Sequence, residues 1–176
     1  MLKGKIVKLR PYEREDIDSI LEYLNDDEVS RFLMPGIPFP YSRDEEEAWF
    51  DSQKENKECK NFAIVNKETG EYYGGCGVNN IDWKNNICII GLFLGKPHWS
   101  KGIGTDTLKV LCDFIFDQMN IRKISLNVYA FNERAIGCYK KMGFEVEGIL
   151  KEQIFRDGKY HDELVMGYLR KNRKTD

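Results

Sequence analysis

A strand, a glycine turn and a helix follow one another in the middle of the chain, and this succession constrains the fold most. Ile87 to Leu94 is an apolar run that predicts a strand, and Ile103 to Met119 has apolar residues at helical spacing. Between them stands the stretch Trp99-Ser100-Lys101-Gly102-Ile103-Gly104-Thr105. Glycines at such a junction let backbone N–H groups approach a ligand, and the start of a helix concentrates unpaired donors. The junction therefore predicts an anion site that suits a phosphate.

A second segment lies beyond that helix and carries small and polar residues at a recognisable spacing. It contains Asn132-Glu133-Arg134-Ala135, then Tyr139, then Gly143-Phe144. Together and in this order, the two segments resemble the GNAT family of N-acetyltransferases. In that family the first segment binds the pyrophosphate of acetyl-CoA. The second carries an asparagine that contacts this cofactor and a tyrosine near its sulfur.

The resemblance covers nearly the whole chain. The opening Val7–Pro11, the loop Pro38–Ser42 and the ending Arg156–Asp162 resemble the branch that acetylates ribosomal-protein N-termini. Polyamine and aminoglycoside acetyltransferases are similar too. The resemblance implies transfer of the acetyl group of acetyl-CoA to a primary amine, with a protein N-terminus as the leading acceptor and a polyamine or aminoglycoside as the alternative. A non-catalytic acyl-CoA sensor is the alternative from another class.

The resemblance also implies a set of cofactor-binding residues. They are Trp99, Ser100, Lys101, Gly102, Ile103, Gly104 and Thr105 at the glycine turn, Leu126, Asn127 and Val128 on a strand, and Asn132 and Tyr139. Backbone amides of the turn would hold the pyrophosphate, and the strand would pair with the pantetheine amides as an added strand does. Tyr139 is the predicted general acid, because a protonated phenol can give its proton to the departing thiolate.

No motif identifies the general base. Many relatives carry a glutamate on the strand before the glycine turn, but Ile87–Leu94 contains no acid. Glu152 and Asp162 on the final hairpin are the candidates, and His161 is a third by virtue of its ordinary pKa. Cys138 has no neighbouring base that would make it a nucleophile, so we expect direct attack by the amine in a ternary complex.

Composition limits the other classes of function. With 176 residues, 41% of them hydrophobic, we expect one domain over residues 1–170 and a frayed, charged tail over 171–176. A net charge of -2 argues against nucleic-acid binding, and no apolar run suits a membrane. Five cysteines predict reduced thiols in the cytoplasm, and two isolated histidines predict no metal site. The oligomeric state is left open and includes a homodimer.

The order of predicted elements indicates a mixed α/β fold with one central sheet. The expected GNAT-like sheet is mostly antiparallel, has about seven strands and is flanked by helices. Ile87–Leu94 and Ile124–Val128 are the two strands expected to splay apart around the pantetheine arm. Ser42 and Glu45 fit a capping box that starts a helix reaching Lys57. The glycine-rich run Gly74–Gly77 is interpreted as a bulged strand with a close backbone approach.

Overall fold

The structure, a computed structural model, describes residues 2–33, 36–53 and 59–173, which form one sheet with helices on both faces. The strands are β1 (Leu2–Lys3), β2 (Val7–Arg10), β3 (Lys60–Asn66), β4 (Tyr72–Asp82), β5 (Ile87–Leu94), β6 (Lys123–Tyr129), β7 (Glu145–Arg156) and β8 (Lys159–Leu169). The helices are α1 (Ile17–Leu24), α2 (Asp27–Ser30), α3 (Arg43–Ser52), α4 (Ile103–Gln118) and α5 (Glu133–Met142). No helix within these ranges is both long and apolar enough to cross a membrane.

The strands follow the order β1-β2-β3-β4-β5-β6-β8-β7, and only β5 and β6 run parallel among these neighbouring pairs. The predicted mixed, mostly antiparallel α/β fold is confirmed. The sheet has eight strands where about seven were expected, because Leu2–Lys3 pairs with β2 through the register Leu2↔Leu9. A strand of two residues is too short to show a hydrophobic alternation, so the sequence pattern does not reveal it.

Two hydrophobic layers cover the two faces of the sheet. Ile64 of β3 belongs to the larger layer, whereas its neighbours Ala63 and Val65 belong to the smaller one, since successive strand residues point to opposite faces. The larger layer includes Leu108, Leu111 and Ile115 of α4 and Tyr139 of α5; the smaller includes Ile20 of α1. Helices α4 and α5 therefore lie on one face, and α1, against which α3 packs, lies on the other.

Capping side chains set the starts of two helices as predicted. At α3, Ser42 Oγ accepts from the Glu45 N–H at 3.3 Å, and Glu45 Oε2 accepts from the Ser42 N–H at 2.8 Å. At α5, Asn132 Oδ1 accepts from the Ala135 N–H at 3.2 Å. The described part of α3 ends at Ser52, and the predicted extension to Lys57 falls on residues 54–58, outside the described residues.

The glycine-rich part of β4 confirms the predicted close backbone approach, because a Cβ on Gly74 would lie 2.2 Å from the Phe93 carbonyl oxygen of β5. The register between β3 and β4 shifts at Ile64 and Val65, opposite Gly74. A Cβ on Gly75 would lie 1.9 Å from the Tyr12 hydroxyl oxygen, so only glycine leaves room for that side chain over the strand. Gly75 thus determines where the Tyr12 side chain can lie. Tyr12 lines the cleft of the candidate active site.

The end of the chain is held against α4. Residues Arg170–Asn172 form a 3-10 turn, and the Arg173 guanidinium donates to Asp113 and Asp117 over 2.5 to 3.0 Å. The expectation of a frayed tail is therefore wrong as far as Arg173, because a guanidinium fork can hold two carboxylates at once. Residues 174–176 lie outside the described part of the chain.

Candidate active site

Strands β5 and β6 separate along their length and open a gap in the sheet. Their parallel pairing covers only Ile87–Ile89 against Lys123–Ser125, whereas β6 pairs with β8 as far as Tyr129. Beyond Ile89 and Ser125, the facing edges of β5 and β6 have no strand partner among the described residues. Their backbone N–H and C=O groups can therefore pair with a ligand that carries amides. The splaying predicted for these strands is confirmed.

The glycine turn after β5 leads into the N-terminus of α4 beside this gap. Gly102 caps α4 with φ +80°, and Ser100 has φ +59°, so the turn depends on left-handed backbone. Such a conformation aims successive N–H groups into a concave anion site, to which the helix dipole adds positive potential. Asp106, in the first turn of α4, points its carboxylate instead at the backbone N–H groups of Lys5–Val7. The turn therefore fits a pyrophosphate.

A cleft of about 1310 Å³ runs through these elements, and most of the predicted cofactor-binding residues line it. The members that line it are Trp99, Ser100, Gly102, Gly104, Thr105, Asn127, Val128, Asn132 and Tyr139. Ile103 and Leu126 bury their side chains in the core, so only their backbone atoms are left for a ligand. Lys101 is exposed and lies outside the described lining. The roles of the whole set stay predictions, although the lining fits a cofactor with phosphates at one end and amides in its arm.

Tyr139 reaches the cleft from α5 and is 7% exposed. Its ring packs against Phe144, with 5.7 Å between the ring centroids. The burial raises the pKa of the Tyr139 phenol well above its ordinary value, so the hydroxyl keeps its proton at neutral pH. A protonated donor held by packing beside the gap has the placement that a general acid for a thiolate needs.

Arg134 is a cation of the cleft to which the sequence interpretation gave no role. Its guanidinium carbon lies 3.5 Å from the Trp99 ring centroid and 5.4 Å from that of Phe32. Trp99 is held in turn by its Nε1, which donates to the Leu94 carbonyl at 2.8 Å. Burial lowers the pKa of Arg134, yet a guanidinium stays charged at neutral pH. Its position between Asn132 and Tyr139, two predicted cofactor-binding residues, is the sequence feature that could have indicated a role for Arg134.

We expect Arg134→Gln to weaken the binding of acetyl-CoA selectively. The substitution removes a positive charge at the cofactor end of the cleft, so the KM for acetyl-CoA should rise about 10-fold while kcat changes little. Steady-state kinetics with acetyl-CoA and with acetyl-pantetheine, which has no phosphates, measure the effect. Lys140→Gln, an exposed position of the same helix outside the described lining, is the control. Equal losses with both thioesters would contradict a phosphate contact.

The structure does not bring the two base candidates to the cleft. Asp162 accepts from Lys151 Nζ at 2.8 Å and from the Glu152 N–H at 3.0 Å, and neither Glu152 nor Asp162 is in the described lining. The hydrogen bond from Lys151 lowers the pKa of Asp162, which makes this carboxylate a weaker base. In strand β8 the next residue, Glu163, does line the cleft and is 9% exposed. Because neighbouring residues of a strand point to opposite sides, Asp162 and Glu163 face different surroundings. The sequence alone does not show which of the two faces the cleft.

Other chemistry-bearing side chains are already engaged. His98 Nε2 lies 2.9 Å from the Tyr23 hydroxyl, and His161 Nε2 lies 3.2 Å from the Arg156 carbonyl oxygen. Cys138 lines the cleft, and its sulfur is 3.3 Å from Thr105 Oγ1 at the start of α4. The described partner of the Cys138 thiol is thus a hydroxyl, and the expectation that this thiol is not a nucleophile stays a prediction.

The other end of the cleft is built from α3, the loop before it, the segment between β2 and α1, and β4. Tyr12 and Trp49 meet edge to face with 5.2 Å between their ring centroids. Glu46 of α3 lines the cleft beside them and is 5% exposed, and Tyr41 and Glu45 complete this wall. The loop before α3 therefore contributes Tyr41 to the wall. We call this region, Tyr12, Tyr41, Glu45, Glu46 and Trp49, the acceptor end.

Comparison with known proteins agrees with this geometry. The family model of the acetyltransferase (GNAT) domain matches residues 7–145. A spermidine N-acetyltransferase from Vibrio cholerae, solved with CoA and spermine, superimposes with a TM-score of 0.87 over 96% of this chain and 98% of that one. The two are 24% identical, so this likeness shows the fold alone.

Two sequence relatives extend over almost the entire chain. The uncharacterized N-acetyltransferase p20 of Bacillus licheniformis is 31% identical over 165 residues, which are 93% of this chain and 92% of that protein. The spermidine N(1)-acetyltransferase of Escherichia coli (strain K12) is 29% identical over 161 residues, which are 91% and 84% of the respective chains. By its family match and by the cleft that its splayed strands and glycine turn create, the chain belongs to the GNAT family and is an acetyl-CoA-dependent N-acetyltransferase.

Proposed function

We propose that this acetyltransferase acts on a small cationic amine of the polyamine class, which attacks acetyl-CoA directly in a ternary complex. The observation that carries the proposal is the distribution of charge along the cleft. Arg134 and Lys141 supply the cations of the lining and both belong to α5, at the cofactor end. The acceptor end has two carboxylates, Glu45 and Glu46, and no described lysine or arginine. Anionic phosphates and a cationic amine thus suit opposite ends.

Aromatic side chains strengthen the preference of the acceptor end for a cation. Tyr12, Tyr41 and Trp49 present rings to the same space as the two carboxylates. Ammonium groups are attracted to the faces of such rings, by more when water is excluded. Glu163 adds a further carboxylate to the lining beside the gap, whereas Glu133 lies next to Arg134 on α5, at the cofactor end. A polycationic acceptor would find favourable potential along much of its path.

The sequence relatives support a small amine more than a peptide. The E. coli relative, 29% identical, is a spermidine N(1)-acetyltransferase. None of the relatives named above acts by its name on a ribosomal protein, so the predicted resemblance to that branch gains no support from them. Acetylation of a protein N-terminus, or of an aminoglycoside, stays an alternative that the acceptor panel below distinguishes.

The reaction needs little from the protein beyond positioning and one proton. Acetyl-CoA supplies an activated acyl group as a thioester when bound. Backbone groups of Asn127 and Val128, on the unpaired edge of β6, would hold its arm, in the manner of an added strand. Tyr139 would hold the proton that the departing thiolate takes up. Glu163, buried beside the gap, is the carboxylate placed to receive a proton from the amine, directly or through water.

The test is release of free thiol from acetyl-CoA against a panel of amines. We expect spermidine and shorter diamines to be acetylated, and N-terminal peptides and aminoglycosides to react at least 10-fold more slowly in kcat/KM. Turnover of peptides above that of polyamines would contradict the proposal and restore the peptide alternative. Binding of CoA without turnover of any amine would favour the sensor.

Assembly and location stay predictions. The described cysteines are free thiols, which is the basis for expecting the cytoplasm. Strand β7 is an edge of the sheet, and its hairpin with β8 exposes large apolar side chains. They are Val146, Ile149, Leu150, Phe155 and Tyr160. An edge strand of this kind can pair with a second copy, so a homodimer through the final hairpin remains our proposal.

A further inference from the structure

Glu46 is an unusual carboxylate, because it is buried and yet lacks a polar partner. It is 5% exposed, and its side chain makes no hydrogen bond or ion pair with any residue in the described ranges. By contrast, the Glu45 carboxylate accepts a hydrogen bond from the Ser42 N–H, and a Glu47 oxygen lies 3.7 Å from an Arg43 nitrogen. Of these three consecutive glutamates, only Glu46 lines the cleft without a compensating group among the described residues.

An unpaired buried carboxylate lowers stability, so its presence in a binding cleft calls for a ligand. Burial raises the pKa of Glu46, since its charge loses hydration and the described residues supply no partner that offsets the loss. The tyrosines around Glu46 belong to three different segments and are Tyr12, Tyr41 and Tyr72. Burial is the main cause of their raised pKa values, and the charge of Glu46 raises them further. A bound cation would relieve all of these interactions.

The position of Glu46 indicates which nitrogen of the acceptor it meets. Helix α3 packs against α1, on the face of the sheet opposite α4 and α5, whereas Tyr139 belongs to the layer under α4 and α5. The cleft joins the two sides through the gap between β5 and β6. The nitrogen that attacks the thioester must lie at this gap, where Glu163 is the carboxylate placed to take up its proton. The group at Glu46 is therefore a different one.

We infer that Glu46 binds a second, non-reacting ammonium group of the acceptor, so that the enzyme selects diamines and polyamines over monoamines. The inference rests on the proposed function, since it assigns one end of the same acceptor. Tyr12 and Trp49, which meet edge to face, form a wall against which the methylene chain packs, and Glu46 neutralises the charge at its end. Selection arises because a monoamine leaves Glu46 buried and unpaired.

The test compares acceptors that differ only in the second amine, 1,4-diaminobutane and butylamine. We expect wild type to prefer the diamine by about 30-fold in kcat/KM, and Glu46→Gln to abolish most of that preference through the KM of the diamine. The KM for acetyl-CoA should not change. Since a protonated Glu46 cannot bind an ammonium, the wild-type preference should fall as the pH is lowered through the Glu46 pKa, and that of Glu46→Gln should not.

Glu47→Gln is the matched control, because it makes the same chemical change one residue further along α3, outside the described lining. It should keep the wild-type preference. Glu46→Gln should also unfold at a temperature no lower than wild type, since it removes an uncompensated charge. A lower unfolding temperature with an unchanged preference would show a structural role and overturn the inference.

Calorimetric binding of both amines to the CoA-bound protein separates this inference from the proposed function. If the diamine binds about 30-fold tighter than butylamine in wild type but not in Glu46→Gln, Glu46 holds the ammonium even if no acetyl group is transferred, and only the proposed function fails. If diamines are acetylated with equal preference by both variants, the proposed function stands and the role of Glu46 is refuted.

Discussion

Tyr139→Phe should lower kcat about 100-fold while the KM for acetyl-CoA stays within about 3-fold of wild type. General acid catalysis contributes about 100-fold or more, and a phenylalanine cannot protonate the departing thiolate. The ring itself should remain in place, because its packing against Phe144 does not involve the hydroxyl. Stopped-flow or steady-state release of CoA thiol, with CoA binding measured separately, gives both constants.

Tyr168→Phe is the control for this substitution. Tyr168 is also buried and packs against Phe144, with 5.3 Å between the ring centroids, but it is not part of the described lining. It should therefore keep wild-type kcat. A Tyr139→Phe enzyme with kcat within about 3-fold of wild type would show that the thiolate leaves without this proton, through solvent or another group.

Asp106→Asn should lower the stability of the fold more than any other substitution of a charged residue named here. The Asp106 carboxylate accepts from the backbone N–H groups of Lys5, Ile6 and Val7 at 3.0, 2.7 and 2.9 Å, and so ties the turn between β1 and β2 to α4. An amide offers one acceptor oxygen in place of two and turns an N–H group towards donors. We expect a loss of about 3 kcal/mol in the free energy of unfolding, measured by urea denaturation.

The pH dependence of that loss identifies its cause. Burial acts to raise the pKa of Asp106, but the three backbone hydrogen bonds outweigh it and lower the pKa in the folded state. A lowered folded pKa stabilises the protein above the unfolded pKa, about 4, and this contribution disappears as the pH falls through the folded value. The difference between wild type and Asp106→Asn should therefore shrink in acid.

Asp44→Asn is the control for the helix dipole. Asp44 is likewise in the first turn of its helix, α3, but it is exposed and has no described side-chain hydrogen bond. Its replacement should cost less than about 0.5 kcal/mol. A loss at Asp106 as small as this, or one that does not change with pH, would show that the three hydrogen bonds contribute little net stability.

The cofactor half of the cleft was largely predictable from sequence. Its parts come from one contiguous unit, in which β5 runs into the glycine turn and α4, and from one helix with an asparagine cap. Local rules suffice for such units, since a strand, a left-handed turn and an amphipathic helix each leave a periodic or compositional mark. No role could be predicted for Arg134, because an arginine on a helix surface is usually solvated. Its stacking on Trp99 joins two segments that are separate in the chain.

The proton-transfer and acceptor groups were predicted less well. Asp162 and Glu163 are adjacent in sequence, yet only Glu163 reaches the described lining, because a strand sends neighbouring side chains to opposite sides. The run Asp44-Glu45-Glu46-Glu47 resembles any charged helix face. Which of its members is buried depends on where α3 sits against α1 and β4, and no local pattern records that.

The sequence by itself therefore determined the family, the order of strands and helices, the glycine turn and the segment that carries the tyrosine, since each leaves its mark on residues close together in the chain. Only the tertiary structure decided that Glu46 is buried without a partner, that Arg134 stacks on Trp99, and that Glu152 and Asp162 lie outside the cleft. The physical reason is that burial and charge compensation depend on which surfaces meet across the sheet, and these contacts join segments far apart in the chain.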